Sequence, residues 1–313
     1  MKIIKPKKLI KGDVIGIISP ASSTDDFTNV EIGVKYLEKI GYKVEVGKNV
    51  GKIHGYLAGN DLERADDLHS MFRKKYIKAI MCVRGGYGTP RLLDKIDYKL
   101  IKDNPKIFIG HSDITALQLA ILNKTGLITF AGPMLAVDFV DEVSSFTEEI
   151  FWALLTSSKK IGKIKQPDDE KMFTLVKGAC KGRIAGGNLS LFASLIGTNY
   201  LPELRDKILL LEEVNEMPYR IDRMLNQLRL AKVFNQVKGV ILGAFINCNE
   251  TDPTKKTLTL GEVIADYFEH LKIPVVYDVK HGHIKDNITF PIGIPVKLNA
   301  SRGYIEIDEG AVC

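Results

Sequence analysis

The chain has 313 residues, of which 45% are hydrophobic and 26% charged, and its formal net charge is +6. That is ordinary globular composition, long enough for two packed domains, and it excludes the disordered and fibrous classes. Lys and Arg are dispersed and nowhere interleaved with aromatic residues, which argues against a nucleic-acid surface, and no apolar run approaches the roughly 18 residues of a membrane span.

Lys2, Lys5, Lys7 and Lys8 precede the apolar run Val14–Ile18, which is too short for a signal-peptide core, follows Asp13, and reads as a first strand. Val30 to Ile40 carries Val30, Val34, Leu37 and Ile40 on one helical stripe. A strand at Tyr42–Val46 follows, then a helix over Arg64–Phe72, a strand at Ala79–Val83 and a helix over Thr89–Ile96 with Pro90 in its first turn. The strand Ile107–Ile109 runs into Gly110-His111-Ser112-Asp113 and the helical pattern Ala116–Leu122, and Leu127–Phe130 is the next strand. Repeated β-α units of this kind predict an α/β fold with a doubly wound, mostly parallel sheet, whose ligands bind at the carboxyl ends of the strands. The turns Arg84–Gly88 and Gly110–Asp113 both fall there.

Ser145-Phe146-Thr147-Glu148 has the pattern of a capping box and opens a helix through Phe151, Trp152 and Leu155. The polar run Lys163 to Lys171 marks the expected boundary between an N-terminal domain, 1–163, and a smaller, β-rich C-terminal domain, 172–313. The latter carries strands at Ile208–Leu211, Val240–Ala244 and Val275–Tyr277 and helices around Arg220–Leu230 and Leu260–Leu271; Ile288 to Ile307 reads as strands and turns. Cys82, Cys180, Cys248 and Cys313 lack CxxC spacing and read as reduced thiols of a cytoplasmic protein.

The strand–turn–helix around Ser112 has the form of a nucleophile elbow, although Ile114 stands where that motif has a small residue. The competing reading is an inert Gly-x-Ser turn. A nucleophilic serine needs a base and an acid that orients it. Of the six histidines, His111 neighbours Ser112 and is expected to point away from it; His69 and His270 belong to helices, and His54 to a loop. His281-Gly282-His283 lies in a polar turn, where functional side chains are commonly presented. Glu212 and Glu213 end the apolar run Leu209–Leu211, either as functional acids or as a solvated strand end. Arg84-Gly85-Gly86-Tyr87-Gly88 could offer backbone N–H groups to an oxyanion; as a nucleotide loop it lacks GxGxxG and a Walker lysine. Gly182–Asn188 reads as a tight β-turn.

Taken together, Gly110-x-Ser112-Asp113-Ile114-Thr115, Arg84–Gly88 with Arg91-Leu92-Leu93 and Asp97, Gly186-Gly187-Asn188-Leu189-Ser190, Leu211-Glu212 with Pro218–Arg223, and Gly282-His283 with Pro291-Ile292-Gly293 resemble the LD-carboxypeptidase, or muramoyltetrapeptide carboxypeptidase, family of serine peptidases. The resemblance implies a triad of Ser112, Glu212 and His283, with an oxyanion hole from the N–H groups of Gly86 and Asp113. It implies no metal and no cofactor, a small muropeptide or peptide substrate, a cytoplasmic location and a homodimer. The site would lie in the cleft between the two domains. Val214–Pro218 is short between the triad glutamate and the next helix, which, by the resemblance, favours the murein branch over the microcin-immunity branch. A carboxypeptidase also needs a cation for the terminal carboxylate; Arg84, next to Gly85, is a candidate, as are Arg220 and Arg223. Two rival readings are a metal-dependent hydrolase built on His281 and His283, which lacks a third ligand of defined spacing, and a non-catalytic protein that binds a nucleotide or peptide at the sheet edge.

Overall fold

The structure is a computed structural model that describes residues 2–164, 166–167 and 172–313. Its first half runs β1 (Val14–Ile18), α1 (Thr28–Lys39), β2 (Lys43–Val46), α2 (Asp61–Arg73), β3 (Ile77–Cys82), α3 (Tyr98–Asp103), β4 (Ile107–Gly110), α4 (Thr115–Thr125), β5 (Thr129–Ala131), α5 (Leu135–Asp138) and α6 (Ser145–Thr156). The second half runs β6 (Gly162–Ile164), β7 (Phe173–Val176), β8 (Ala179–Asn188), α7 (Leu189–Ser194), β9 (Lys207–Val214), α8 (Pro218–Leu230), β10 (Gly239–Ile246), α9 (Leu260–Phe268), β11 (Val275–Tyr277), β12 (Phe290–Ile292), β13 (Pro295–Asn299) and β14 (Tyr304–Ile307).

Two sheets organise these elements. The first has the order β12-β5-β4-β3-β1-β2, parallel throughout except for β12. Ile15, Ile17, Ala79, Ile80, Met81 and Ile107–Ile109 are all buried, as expected of parallel strands covered on both faces by helices. The second sheet, β6-β14-β13-β8-β9-β10-β11-β7, has a parallel centre, β8 to β11, with antiparallel strands on both flanks. The α/β class with a mostly parallel first sheet therefore holds.

The two sheets do not divide the chain in strict sequence order. β12, from the second half, pairs antiparallel with β5 and closes the first sheet, with Phe290 opposite Ala131. Of the polar run expected as the boundary, residues 165 and 168–171 lie outside the described residues.

Other departures have local causes. Thr89–Ile96 is not a helix but a single 3₁₀ turn, Thr89–Leu92. The N–H groups of Gly88 and Thr89 are committed to the Asp113 carboxylate, at 3.2 and 2.8 Å, and the helix restarts only where Asp97 caps Leu100 N–H. Gly182–Asn188 is not a turn but the end of the long strand β8. Gly186 and Gly187 have φ of 135° and 139°, so glycine is needed for the backbone itself and for its close approach to β9. Helix α6 is capped by Ser144, one residue before the expected Ser145, and Glu148 bonds the Tyr36 hydroxyl instead. Among the described residues no helix is long and apolar enough to cross a membrane.

A Cβ on Gly186 would overlap the Leu210 carbonyl oxygen, whereas one on Gly12, also at positive φ, meets nothing within 4 Å. Gly186→Ala is therefore expected to cost roughly 3 kcal/mol or more, and Gly12→Ala only about 1 kcal/mol, in urea unfolding. Equal midpoints for the two variants would contradict this packing.

Candidate active site

The site begins where β4 ends. His111 is still extended, and Ser112 then takes φ 61°, a left-handed conformation that costs a non-glycine residue about 1–3 kcal/mol. Ser112–Ile114 form one 3₁₀ turn, and α4 follows directly. A Cβ on Gly110 would lie 2.9 Å from the Ile114 side chain, so a glycine here gives the bulky Ile114 its room in the elbow. The buried Asp113 carboxylate, by accepting from Gly88 and Thr89, locks the serine turn to the glycine-rich loop. Burial raises the Asp113 carboxyl above the usual range, and the bonds from Thr89 and Gly88 pull against that.

The loop is held from below as well. The fully buried Arg64 donates to the carbonyls of Pro20 (2.6 Å) and Gly88 (3.0 Å) and pairs with Asp61 (2.5 Å). The Ser22 hydroxyl accepts from Tyr87 N–H at 3.0 Å. Gly86 has φ 110°, and a Cβ on it would overlap that hydroxyl. A Cβ on Gly85 would come 2.8 Å from Ser112 Cβ and 3.0 Å from its hydroxyl oxygen. The backbone of Gly85 thus passes directly over Ser112, close to the Asp113 N–H, with Gly86 next to it against Ser22. Such a loop can direct two N–H groups at a charge developing on a carbonyl oxygen.

Glu212 and His283 come from the second half. Strand β9 extends to Val214, so both glutamates lie within it and are buried, at 1% and 2% exposure; the solvated strand end is ruled out. Alternation sends them to opposite faces. Glu212 Oε2 meets His283 Nδ1 at 2.8 Å. Burial disfavours the Glu212 charge, but the hydrogen bond and attraction from His283 outweigh it and hold the carboxyl below its usual range. Burial likewise disfavours a charged His283, and Glu212 overcomes this and raises its pKa. Two glycines make space for the carboxylate. A Cβ on Gly282 would lie 2.8 Å from Glu212 Oε2, and one on Gly243, at the bulge of β10, 3.2 Å from Glu212 Cβ.

Glu213 faces the other way. It accepts from Asn188 Nδ2, Val214 N–H, and the N–H and hydroxyl of Ser190, all between 2.6 and 2.9 Å. It anchors the start of α7. His281 is buried, with Nδ1 at 2.7 Å from the Ile288 carbonyl, and burial pushes it down to about 4, so it stays neutral. Among the described residues no three His, Cys, Asp or Glu are grouped to hold a metal ion. His111 corrects an expectation. Its ring does not point away from the site but packs edge-on against His283, with centroids 4.9 Å apart, because the left-handed Ser112 ends the strand alternation. His69 accepts from Asp97 N–H, away from the site. Arg84 reaches the Ser23 carbonyl (3.3 Å) and Asp25 (3.5 Å). Arg220 and Arg223 lie over the exposed Tyr219 ring on α8.

Sequence reasoning quoted Thr115 and Asn188 only as members of motifs, without a role, and gave no site role to Gly243 or Arg64. Asn188 had a visible signal, standing directly after two glycines. The other three depend on contacts between distant segments.

The pair makes a measurable signature. His283 is expected to titrate above the ordinary histidine value of about 6.5, and Glu212→Gln to lower it, since burial is then opposed only by the weaker attraction of Glu213 and Asp138. Nitrogen-15 NMR of the ring reads both, and an unchanged midpoint would contradict the coupling. Glu213→Gln should leave that titration in place while lowering unfolding stability by about 1–3 kcal/mol, as one buried partner is left unpaired.

Comparison with known proteins agrees in both halves. Residues 15–132 match the LD-carboxypeptidase N-terminal domain and residues 181–298 the LD-carboxypeptidase C-terminal domain. The chain is 39% identical, over 98% of its length and 95% of the relative's, to the "Probable murein peptide carboxypeptidase" of Bacillus subtilis (strain 168). Among solved structures it is similar to the microcin C7 self-immunity protein MccF (TM-score 0.90, 29% identity, 99% of this chain and 100% of that one). It is also similar to the muramoyltetrapeptide carboxypeptidase of Oxalobacter formigenes (TM-score 0.82, 30% identity, 95% and 98%). By sequence and by fold, the chain belongs to the LD-carboxypeptidase family of serine-type peptidases.

Proposed function

We propose that the protein is a serine LD-carboxypeptidase that releases a terminal D-amino acid, D-Ala, from murein tetrapeptides. The observation that carries this reading is the Glu212–His283 pair, 2.8 Å apart, its half-buried imidazole packed against the ring of His111, which directly precedes a serine in left-handed conformation under a glycine-rich loop. In this mechanism His283 Nε2 takes the Ser112 proton as the hydroxyl attacks the carbonyl of the L-configured residue. The oxyanion is met by the N–H groups of Gly86 and Asp113. The tetrahedral adduct collapses, the C–N bond breaks, and His283 returns the proton to the departing amine. Water, deprotonated by the same imidazole, then hydrolyses the acyl-enzyme. Glu212 keeps Nδ1 protonated and supports the cationic ring in both steps.

Arg84 is our candidate for the terminal carboxylate. Its partner Asp25 is almost fully solvated and 3.5 Å away, and an exposed pair of this kind is worth about 0–1 kcal/mol, so the guanidinium is free to turn to a better anion. The second reading, cleavage of a peptidyl-nucleotide, draws on the likeness to MccF. Against it, only Asn215, Glu216 and Met217 separate β9 from α8, which leaves no long loop there to cover a base.

Incubation with defined tetrapeptides should release free D-Ala, detected by mass spectrometry, and Ser112→Ala should reduce the rate roughly 10³-fold or more while the fold survives. Activity should persist through exhaustive chelation. Hydrolysis of aminoacyl-nucleotides but not tetrapeptides would favour the second reading, and inactivation by chelator that zinc reverses would favour a metal mechanism.

A further inference from the structure

A cavity of about 520 Å³ lies at the opposite end of the second sheet from the catalytic groups, and small-molecule pockets span roughly 300–1,000 Å³. Its walls are the starts of β8 and β9, the end of α4, and the turn between β12 and β13. The register of β8 and β9 sets Arg183 beside Lys207 at this end and Asn188 beside Glu212 at the other. At about 3.3 Å per residue the two ends are roughly 17 Å apart. Neither Ser112, Glu212 nor His283 lines the cavity.

Cations dominate the lining. Lys181, Arg183, Arg205, Lys207 and Lys238 face only two acids, Glu203 and Asp206. Both acids are already engaged at the surface, Asp206 with Lys238 at 2.7 Å and Glu203 with Arg205 at 3.6 Å. Lys207 is half-buried, and among the described residues its ammonium has no hydrogen bond and no ion pair. Burial holds its pKa below the ordinary lysine value, and the Arg183 charge adds to this against the pull of Glu203 and Asp206. Arg183 donates one N–H to the Gly293 carbonyl at 2.9 Å, which fixes the guanidinium beside Lys207. Like charges set side by side on neighbouring strands are destabilising, and an anion between them removes that cost.

We propose that this cavity binds a small phosphorylated polyol, a sugar phosphate, with its phosphate held between Arg183 and Lys207. The inference does not depend on the peptidase reading. A planar guanidinium beside an ammonium suits a phosphate dianion, which accepts a bidentate pair of bonds from the first and a point charge from the second. The volume exceeds that of a bare phosphate and leaves room for an organic body. The rest of the lining decides what that body is. Its apolar part is aliphatic, from Ile3, Leu122, Pro202 and Pro295, so no ring among the described residues is there to stack on a nucleobase. Asn123 donates to the Asn199 carbonyl, which leaves its side-chain oxygen to accept from a hydroxyl, as the carboxylates of Glu203 and Asp206 also can. Those carboxylates disfavour a second anionic group, so a single phosphate on a hydroxylated body fits best.

Calorimetry on the full chain in phosphate-free buffer of low ionic strength tests this with glucose 6-phosphate, inorganic phosphate and glucose. Glucose 6-phosphate is expected to bind in a one-to-one ratio and about tenfold more tightly than inorganic phosphate, and glucose to give no heat of binding. Lys207→Met should weaken the ester roughly tenfold or more, whereas Lys207→Arg, which keeps the charge, should stay within about threefold of wild type. Lys181→Met, at an exposed position of the same cavity, should weaken it about threefold and decides the matter if Lys207→Met fails to fold. Lys99→Met, on the exposed face of α3, should change nothing. Absence of binding by the ester, unchanged affinity in Lys207→Met, or an equal loss in Lys99→Met would overturn the site. Equal affinity for the ester and inorganic phosphate would overturn the sugar assignment. None of these results depends on release of D-Ala, so the failure of this site and the failure of the peptidase reading are seen separately.

Discussion

The distance between the two halves of the site is set by the hydrogen bond from Asn188 N–H to the Thr115 hydroxyl, 3.1 Å long. Thr115 opens α4, three residues after Ser112, and Asn188 lies opposite Glu212 in the register of β8 and β9. One contact therefore connects the serine turn of the first sheet to the glutamate strand of the second. Gly187 makes it possible, since a Cβ there would collide with the Thr115 side chain. Helix α4 is rigid enough to serve as the reference. It is apolar nearly all round and buried, and Gln118 donates to the carbonyls of both Gly110 and Phe130, fixing the helix to the ends of β4 and β5. The histidine loop has a tether of the same sort: the Thr147 hydroxyl on α6 donates to Lys285 O and accepts from Asn287 N–H.

Adjacent glutamates on β9 show how environment separates identical side chains. Glu212 has an ionisable partner and is held ionised, while Glu213 has only neutral donors and is pushed up by burial. Removing one member of a buried ion pair typically costs about 3–5 kcal/mol, so Glu212 and His283 constrain each other structurally as well as chemically. The glycines at 243 and 282 belong to the same arrangement, because they let backbone rather than side chain approach the carboxylate.

What could be read from the sequence followed from short-range regularity. The strands Val14–Ile18 and Val275–Tyr277 and the helices ending at Leu230 and near Lys39 have clear periodicity, and the structure matches them closely. Alternation along β9 accounts for the opposite faces of Glu212 and Glu213, because the strand is regular there. The same rule misled at His111, where a left-handed residue follows and alternation ceases to apply. Thr89–Ile96 failed because a carboxylate 24 residues away takes the N–H groups that the helix start would otherwise leave to a cap. Gly182–Asn188 failed because glycine density resembles a turn, while here it serves close strand packing. The pairing of Phe290–Ile292 with β5 had no local signature at all.

That last pairing has a consequence for how the protein is made. Synthesis is vectorial, and β5 is complete at Ala131, yet its outer edge waits for β12 at Phe290. At ribosomal speeds of 5–20 residues per second, about 8–32 s pass with that edge unpaired, a template for association with other nascent chains. The edge strand is short, at three residues, which limits the hazard. Because the loop bearing His283 emerges immediately before β12, capping the sheet and delivering the imidazole beside His111 are the same late event. A ribosome-bound chain therefore carries its serine turn long before it carries the histidine, and the proposed serine–histidine site stays unassembled until the loop before β12 has emerged.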